Sequence, residues 1–276
     1  MGEIVAGFGV SHSPHAPEQV RKAGASHPLL RLYGRVTEAV EAVKPDVLIV
    51  FDCDHFSTFF LDNWPIFAIG VADRIAGPND GTVMPRYELK GHAALAAHIH
   101  RHCVTAGFDL TLLQDFEVDH SILVPLHFMP PAQSIPIIPI FINGFVPPLP
   151  SSQRCHALGQ AVRGAVESFP QPLRVGIMAS GQFSLEIGGP KVAPGRRQGV
   201  PDPDWGEHVT ALLREGRNDA VVAEATFPRL QKAGNIGGEL LNWIAMLGAV
   251  GDRKASWVES QRSEGDGFAV WQGPGR

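Results

Sequence analysis

Val47-Leu-Ile-Val50 runs into Phe51-Asp-Cys-Asp-His55-Phe-Ser-Thr-Phe-Phe60, and this junction decides the fold. Four consecutive apolar residues, three of them β-branched, predict a buried strand covered on both faces. The chain then turns abruptly polar. In an open α/β sheet, ligands bind at such strand ends. His55 therefore stands where a site is expected, with aromatic residues behind it to exclude water. Taken alone, a strand end capped by a hydrogen-bonded histidine accounts for this stretch equally well.

The rest of the chain repeats the theme. Glu3 to Val10 predicts a first strand, and it ends in Ser11-His12-Ser13-Pro14-His15. His12 is again the polar residue just past a buried strand, while Pro14 and Pro17 are expected to stop regular structure there. Leu29, Leu32, Tyr33, Val36, Val40 and Val43 recur at helical spacing and predict a helix over 29–43. Further strands are expected over 66–71, 108–113, 136–144, 173–179 and 268–271. Helices are expected over 88–106, 153–167, 205–214, 219–225 and 239–250. Residues 73–85 and 186–206 read as loops, the second long enough to be a lid. His92, His98, His100 and His102 share no helix face and read as exposed or capping residues. The alternation predicts an α/β fold: a single domain over 1–276 with a mostly buried central sheet flanked by helices.

The chain has 276 residues and is 44% hydrophobic, enough for a sizeable core. A net charge of −5 argues against a nucleic-acid partner. No apolar run is long enough for a membrane span, and the first residues lack the pattern of a secretory signal. Cys53, Cys103 and Cys155 are widely spaced, with no CxxC pair, which suits free thiols in a cytoplasmic protein.

Glu239 lies at the head of an otherwise apolar helix, Leu240-Leu-Asn-Trp-Ile-Ala-Met-Leu247. A buried carboxylate needs a partner, though the helix N-terminus itself is one candidate. Two histidines and a carboxylate form the facial set that holds non-haem Fe(II) with positions left open. His12, His55 and Glu239 are candidates for it.

Several motifs, in one shared order, resemble the class III extradiol ring-cleavage dioxygenases. Ser11-His-Ser-Pro14 is similar to the family's first metal motif, and Asp54-His-Phe-Ser-Thr-Phe-Phe60 to its second. Val118-Asp-His-Ser121, Ile135-Pro-Ile-Ile-Pro-Ile-Phe-Ile-Asn-Gly144 and Gly238-Glu239 with Trp243 continue the likeness, which spans residues 5–250. The resemblance implies Fe(II) on His12, His55 and Glu239, with His120 beside it as an acid or base. It implies a small aromatic diol and O2 as substrates, and a homo-oligomer.

One position departs from the pattern. Relatives read Gly-Gly-Leu-Ser-His where this chain reads Gly181-Gln182-Phe183-Ser184-Leu185. Leu185 can neither take nor give a proton. The substrate pocket is expected to include Gln182, Phe183, Ser184, Leu185 and His15, with Glu186 and His127 as further stand-ins for the missing histidine. Two other functions stay open on these residues: a metal-dependent hydrolase or C–C lyase on the same scaffold, and a non-catalytic metal-binding subunit.

Overall fold

The computed structural model describes residues 1–272. Its strands are β1 Glu3–Val10, β2 Val47–Asp52, β3 Phe67–Gly70, β4 Arg74–Gly77, β5 Tyr87–Lys90, β6 Leu110–Leu113, β7 Ile137–Ile142, β8 Arg174–Ser180, β9 Glu186–Ile187, β10 Gln198–Gly199, β11 Trp257–Gln261 and β12 Asp266–Gln272. Its α-helices are α1 Ala16–Ala23, α2 Pro28–Val43, α3 Ala93–Thr105, α4 His120–Phe128, α5 Ser152–Ser168, α6 Pro203–Glu215, α7 Asn218–Glu224, α8 Phe227–Lys232 and α9 Leu240–Val250. Eight strands form one mixed sheet in the order β11-β12-β1-β8-β2-β7-β3-β6. β1, β8, β2 and β7 are parallel at its centre. β12 runs antiparallel to β1, and β3 antiparallel to β7.

The continuous apolar runs are explained by cover on both faces. Along β2, Val47, Ile49 and Phe51 face a cluster built with α3, α5 and α9. Leu48 and Val50 face the other cluster, built with α2 and α4. All five are buried. A strand buried on both faces has no reason to alternate polar and apolar residues.

Parallel pairing sets the strand ends level. Val10 is opposite Ser180, and Phe51 is opposite Ala179. The segments leaving β1, β2 and β8 therefore emerge side by side at one edge. Glu239 reaches the same edge from a short 3-10 turn, Gly237–Glu239, that leads into α9. This approach demands glycine at 238, where a Cβ would stand 1.9 Å from the carbonyl oxygen of Gly144.

Three local expectations are corrected. Residues 88–106 are not one helix: Tyr87–Lys90 pairs with Arg74–Gly77 as an antiparallel ribbon inside the expected loop 73–85. Only Leu89 of β5 is buried, so the apolar signal there is a single residue. α1 forms despite Pro17, because a proline in the first helical turn loses no hydrogen bond. α8 and β11 were not expected. α8 is only six residues long and begins Phe-Pro, and β11 carries one buried residue, Val258.

Candidate metal centre

Three side chains converge at the strand-end edge. Glu239 Oε1 lies 3.2 Å from His12 Nε2 and 3.1 Å from His55 Nε2. Both rings are held from behind. His12 Nδ1 meets Ser180 Oγ at 2.8 Å, and His55 Nδ1 meets Asp119 Oδ2 at 3.2 Å. Anchoring each Nδ1 turns each Nε2 inward, which is how metal-binding histidines are oriented. Glu239 and His12 are buried, and the His55 side chain is 17% exposed, so the site is open on the His55 side.

The support for His55 extends two residues deeper. Ser121 Oγ contacts both Asp52 Oδ2, at 2.5 Å, and Asp119 Oδ1. A hydroxyl has one proton to donate, so one carboxyl must be protonated. Burial, and then the charge of Asp119, push the Asp52 carboxyl well above the usual range. Asp119 lies well below it, because the imidazole of His55 outweighs the cost of burial. The proton therefore sits on Asp52, and ionised Asp119 receives Ser121 Oγ–H and both the backbone N–H and the ring of His55. Burial pushes Glu239 up, but the adjacent imidazoles of His12 and His55 more than offset this and hold it at about 2. An ionised carboxylate facing two inward imidazole nitrogens is a donor set suited to a divalent cation.

His120 stands beside this set. Its ring centroid lies 4.4 Å from that of His55 and 5.5 Å from that of His12. The nitrogens of these three histidines come within 4.8 Å of one another. His120 Nδ1 is bonded to Asp80 Oδ2, which also accepts the His120 backbone N–H at 3.2 Å. Burial, then the imidazole of His55, pushes His120 below its usual pKa. The ring is therefore neutral near pH 7, with its proton on Nδ1 and a lone pair on Nε2. Asp80 itself is held at about 2, the bond from His120 outweighing its partial burial. Asp80 comes from the loop between β4 and β5 and escapes sequence reading, since nothing in Gly77-Pro-Asn-Asp80-Gly marks it.

The residues expected to form a substrate pocket are distributed unevenly. The backbone N–H of Gln182 donates to Glu239 Oε2 at 2.7 Å, and its side-chain Nε2 to Ser11 Oγ at 3.3 Å. Phe183 is fully buried with its ring 4.8 Å from Trp243. Ser184 Oγ donates to the Ala233 carbonyl at 2.9 Å and accepts from the Asp202 N–H at 3.0 Å. These two belong to the scaffold rather than to a pocket wall, because their groups are consumed by packing and by backbone bonding. Leu185 is buried but joins neither apolar cluster among the described residues. Its carbonyl accepts the Ile236 N–H at 3.1 Å, three residues before Glu239. His15 is exposed at the start of α1. His127 is engaged by the hydroxyl of Tyr87 at 2.6 Å, and Glu186 by the backbone N–H of Asn235 at 2.7 Å.

The four histidines of the 92–102 segment lie apart from this centre. His92 caps α3 by accepting the Leu95 N–H, His98 meets Ser168, and His100 meets the Leu110 carbonyl.

The chain is similar in sequence or in fold to several known proteins. A gallate dioxygenase of Pseudomonas putida is 32% identical over 185 residues, which cover 65% of this chain and 50% of that protein. The chain thus spans about half the length of that relative. A 2,3-dihydroxyphenylpropionate/2,3-dihydroxicinnamic acid 1,2-dioxygenase of Klebsiella pneumoniae is 26% identical over 259 residues, covering 80% of this chain and 81% of that protein. The crystal structure of the uncharacterized protein JW3007 from Escherichia coli K12 superposes with a TM-score of 0.60 at 14% identity, over 98% of this chain and 100% of that one, which shows a shared fold. The family described as the catalytic LigB subunit of aromatic ring-opening dioxygenase matches residues 6–270, from β1 into β12. By that match the chain belongs to the LigB family of aromatic ring-opening dioxygenase catalytic subunits.

Proposed function

We propose that the chain is an Fe(II)-dependent extradiol-type dioxygenase that opens the ring of a catechol or related phenolic with O2. The observation that supports this most directly is that Glu239 Oε1 lies 3.2 Å from His12 Nε2 and 3.1 Å from His55 Nε2, each ring fixed from behind through Nδ1. When bound, Fe(II) supplies coordination of the diol and an electron route between ring and O2.

The protein's own share is orientation and proton handling. Asp119 and Ser180 fix the rings that hold the metal. Neutral His120, with Nε2 free, accepts a proton from a substrate hydroxyl placed at the metal's open side. Asp80 stabilises the imidazolium that results. With Leu185 in place of a second histidine, His120 is the one imidazole beside the three ligands in this reading. Diols that ionise more easily than simple catechol are then preferred substrates.

The gallate and dihydroxyphenylpropionate relatives act on aromatic diols and triols by their names, which supports the substrate class without fixing the ring substituents. We assign the protein to the cytoplasm on the three cysteines, all free and buried; no described helix is long and apolar enough to cross a membrane. A homo-oligomer is proposed on the family resemblance alone. An oxygen-electrode trace with anaerobically Fe(II)-loaded protein and a catechol tests the activity. Oxygen uptake with ring opening is expected. Product formation without oxygen uptake would instead indicate the hydrolase or lyase.

A further inference from the structure

His55 has aromatic neighbours that metal binding and proton handling do not use. The Phe145 ring centroid lies 5.0 Å from that of His55. The Phe56 ring is 6.4 Å from Phe145, inclined to it by only 20°, and 4.5 Å from Trp64. Phe145 and Trp64 are half-buried, and Phe56 is 45% exposed. Three rings thus run outward from a metal ligand to solvent, on the side where the site is open.

Phe56 is held there at a cost. Its φ of 60° lies in the left-handed region, which a bulky residue rarely adopts. The turn is fixed by the buried carboxylate of Asp54. Its Oδ1 accepts the Thr58 N–H at 2.9 Å, and its Oδ2 accepts those of Ser57 and Phe59 at 3.1 and 3.0 Å. Phe59 turns into the core, 5.5 Å from Phe141, while Phe56 turns outward. Glycine would suit this backbone better, and packing does not explain a ring so exposed. Strain of this kind beside a site points to function.

The flanking segments are uncharged as well as aromatic. Residues 56–61 and 144–150 contain no charged side chain, and the next residue, Asp62, is acidic. A carboxylate substituent would find no cation on either segment, whereas an apolar one would find ring faces.

We infer that Phe145 and Phe56, braced by Trp64, form a binding wall for an apolar substituent of the substrate. The site then favours aromatic diols that carry an uncharged aryl or alkyl group over diols that carry a carboxylate. This rests on the proposed binding of a diol at the metal and deepens it. A phenyl group is wide enough to touch both Phe145 and Phe56 at ordinary ring–ring separations.

Anaerobic isothermal titration of the Fe(II)-loaded chain reads binding apart from turnover. The probes are catechol, 3- and 4-phenylcatechol, and 2,3- and 3,4-dihydroxybenzoate. One of the phenylcatechols is expected to bind about tenfold more tightly than catechol, the gain from burying a ring against aromatic side chains, and more tightly than either benzoate. Phe56→Gly suits the backbone of the turn, and Phe145→Leu keeps the apolar bulk but removes the ring. Each is expected to lower the phenylcatechol-to-catechol affinity ratio about three- to tenfold. A merely structural fault would weaken both diols alike and leave that ratio unchanged. Equal binding of catechol and both phenylcatechols, tighter binding of a dihydroxybenzoate, or an undiminished ratio in both variants would overturn the wall and leave the metal site standing. Diols that bind with this preference but give no oxygen uptake in air would support the wall and overturn the dioxygenase reading. No binding by any diol would overturn both.

Discussion

Asp80 Oδ2 takes both the ring Nδ1–H and the backbone N–H of His120, and so fixes which nitrogen of that ring is free. The two residues are 40 positions apart in sequence. With Nδ1 occupied, Nε2 is the only nitrogen of His120 able to accept a proton. His120→Ala is expected to retain iron and lose about 10²–10⁴-fold in turnover, the range of general acid–base help. Asp80→Ala is expected to retain iron too, with a loss of roughly 10–100-fold, as for other partners that orient a functional group. Iron content and kcat measured on the same preparations check this; unchanged kcat in both variants would return His120 to a structural role.

The support behind His55 gives a prediction about affinity rather than rate. Asp119 is ionised and bonded to the ring and backbone of His55. Asp119→Asn keeps the shape and removes the charge, and is expected to weaken Fe(II) binding roughly 10–100-fold. Competition with a chelator of known affinity measures it. Asp52→Asn leaves an uncharged group beside Ser121, as the protonated carboxyl does, and is expected to change the affinity little.

Much of this centre was visible in the sequence because its members interrupt apolar runs. His12 and His55 end strands buried on both faces, and Glu239 is a carboxylate heading a helix whose other residues are all buried. Such interruptions cost free energy and so mark themselves. Asp80 did not, because an aspartate among glycine, proline and asparagine is ordinary loop composition. Phe183 and Ser184 show the converse. Neighbours of a motif look equally functional in sequence, and only the fold shows that Phe183 packs on Trp243 while Ser184 ties Ala233 to Asp202. The β4–β5 ribbon was hidden because Leu89 is its one buried residue in the second strand.

Asp266 gives stability a pH dependence with a defined sign. In the unfolded chain the carboxyl ionises near 4, and in the folded chain near 7. Below about 4 both states are protonated and the group is neutral in effect. Between the two values the folded state holds the extra proton, so stability falls as pH rises, and it stays at the lower level above 7. Three pH units correspond to about 4 kcal/mol at most. Urea unfolding of wild type and Asp266→Asn across this range checks it: the variant is expected to gain on wild type as pH rises, and parallel profiles would contradict the buried carboxyl.

By the resemblance, Leu185 is expected to stand where the family's pattern has a second histidine. Leu185→His is expected to raise turnover of a simple catechol near pH 7 and to matter less at alkaline pH, where the diol ionises unaided. The measurement is the pH–rate profile of both forms. A parent enzyme already fast near neutral pH, with no gain from the substitution, would show that His120 alone suffices or that Glu186 or His15 supplies the base.

The central claim is that His12, His55 and Glu239 hold one Fe(II), and metal analysis after anaerobic loading and desalting tests it most directly. The wild-type chain is expected to retain about one iron per chain, the capacity of a single three-ligand site. His12→Ala, His55→Ala and Glu239→Ala are each expected to retain almost none while His120→Ala retains it in full. Full iron in His55→Ala, or loss of iron in His120→Ala alone, would contradict the account.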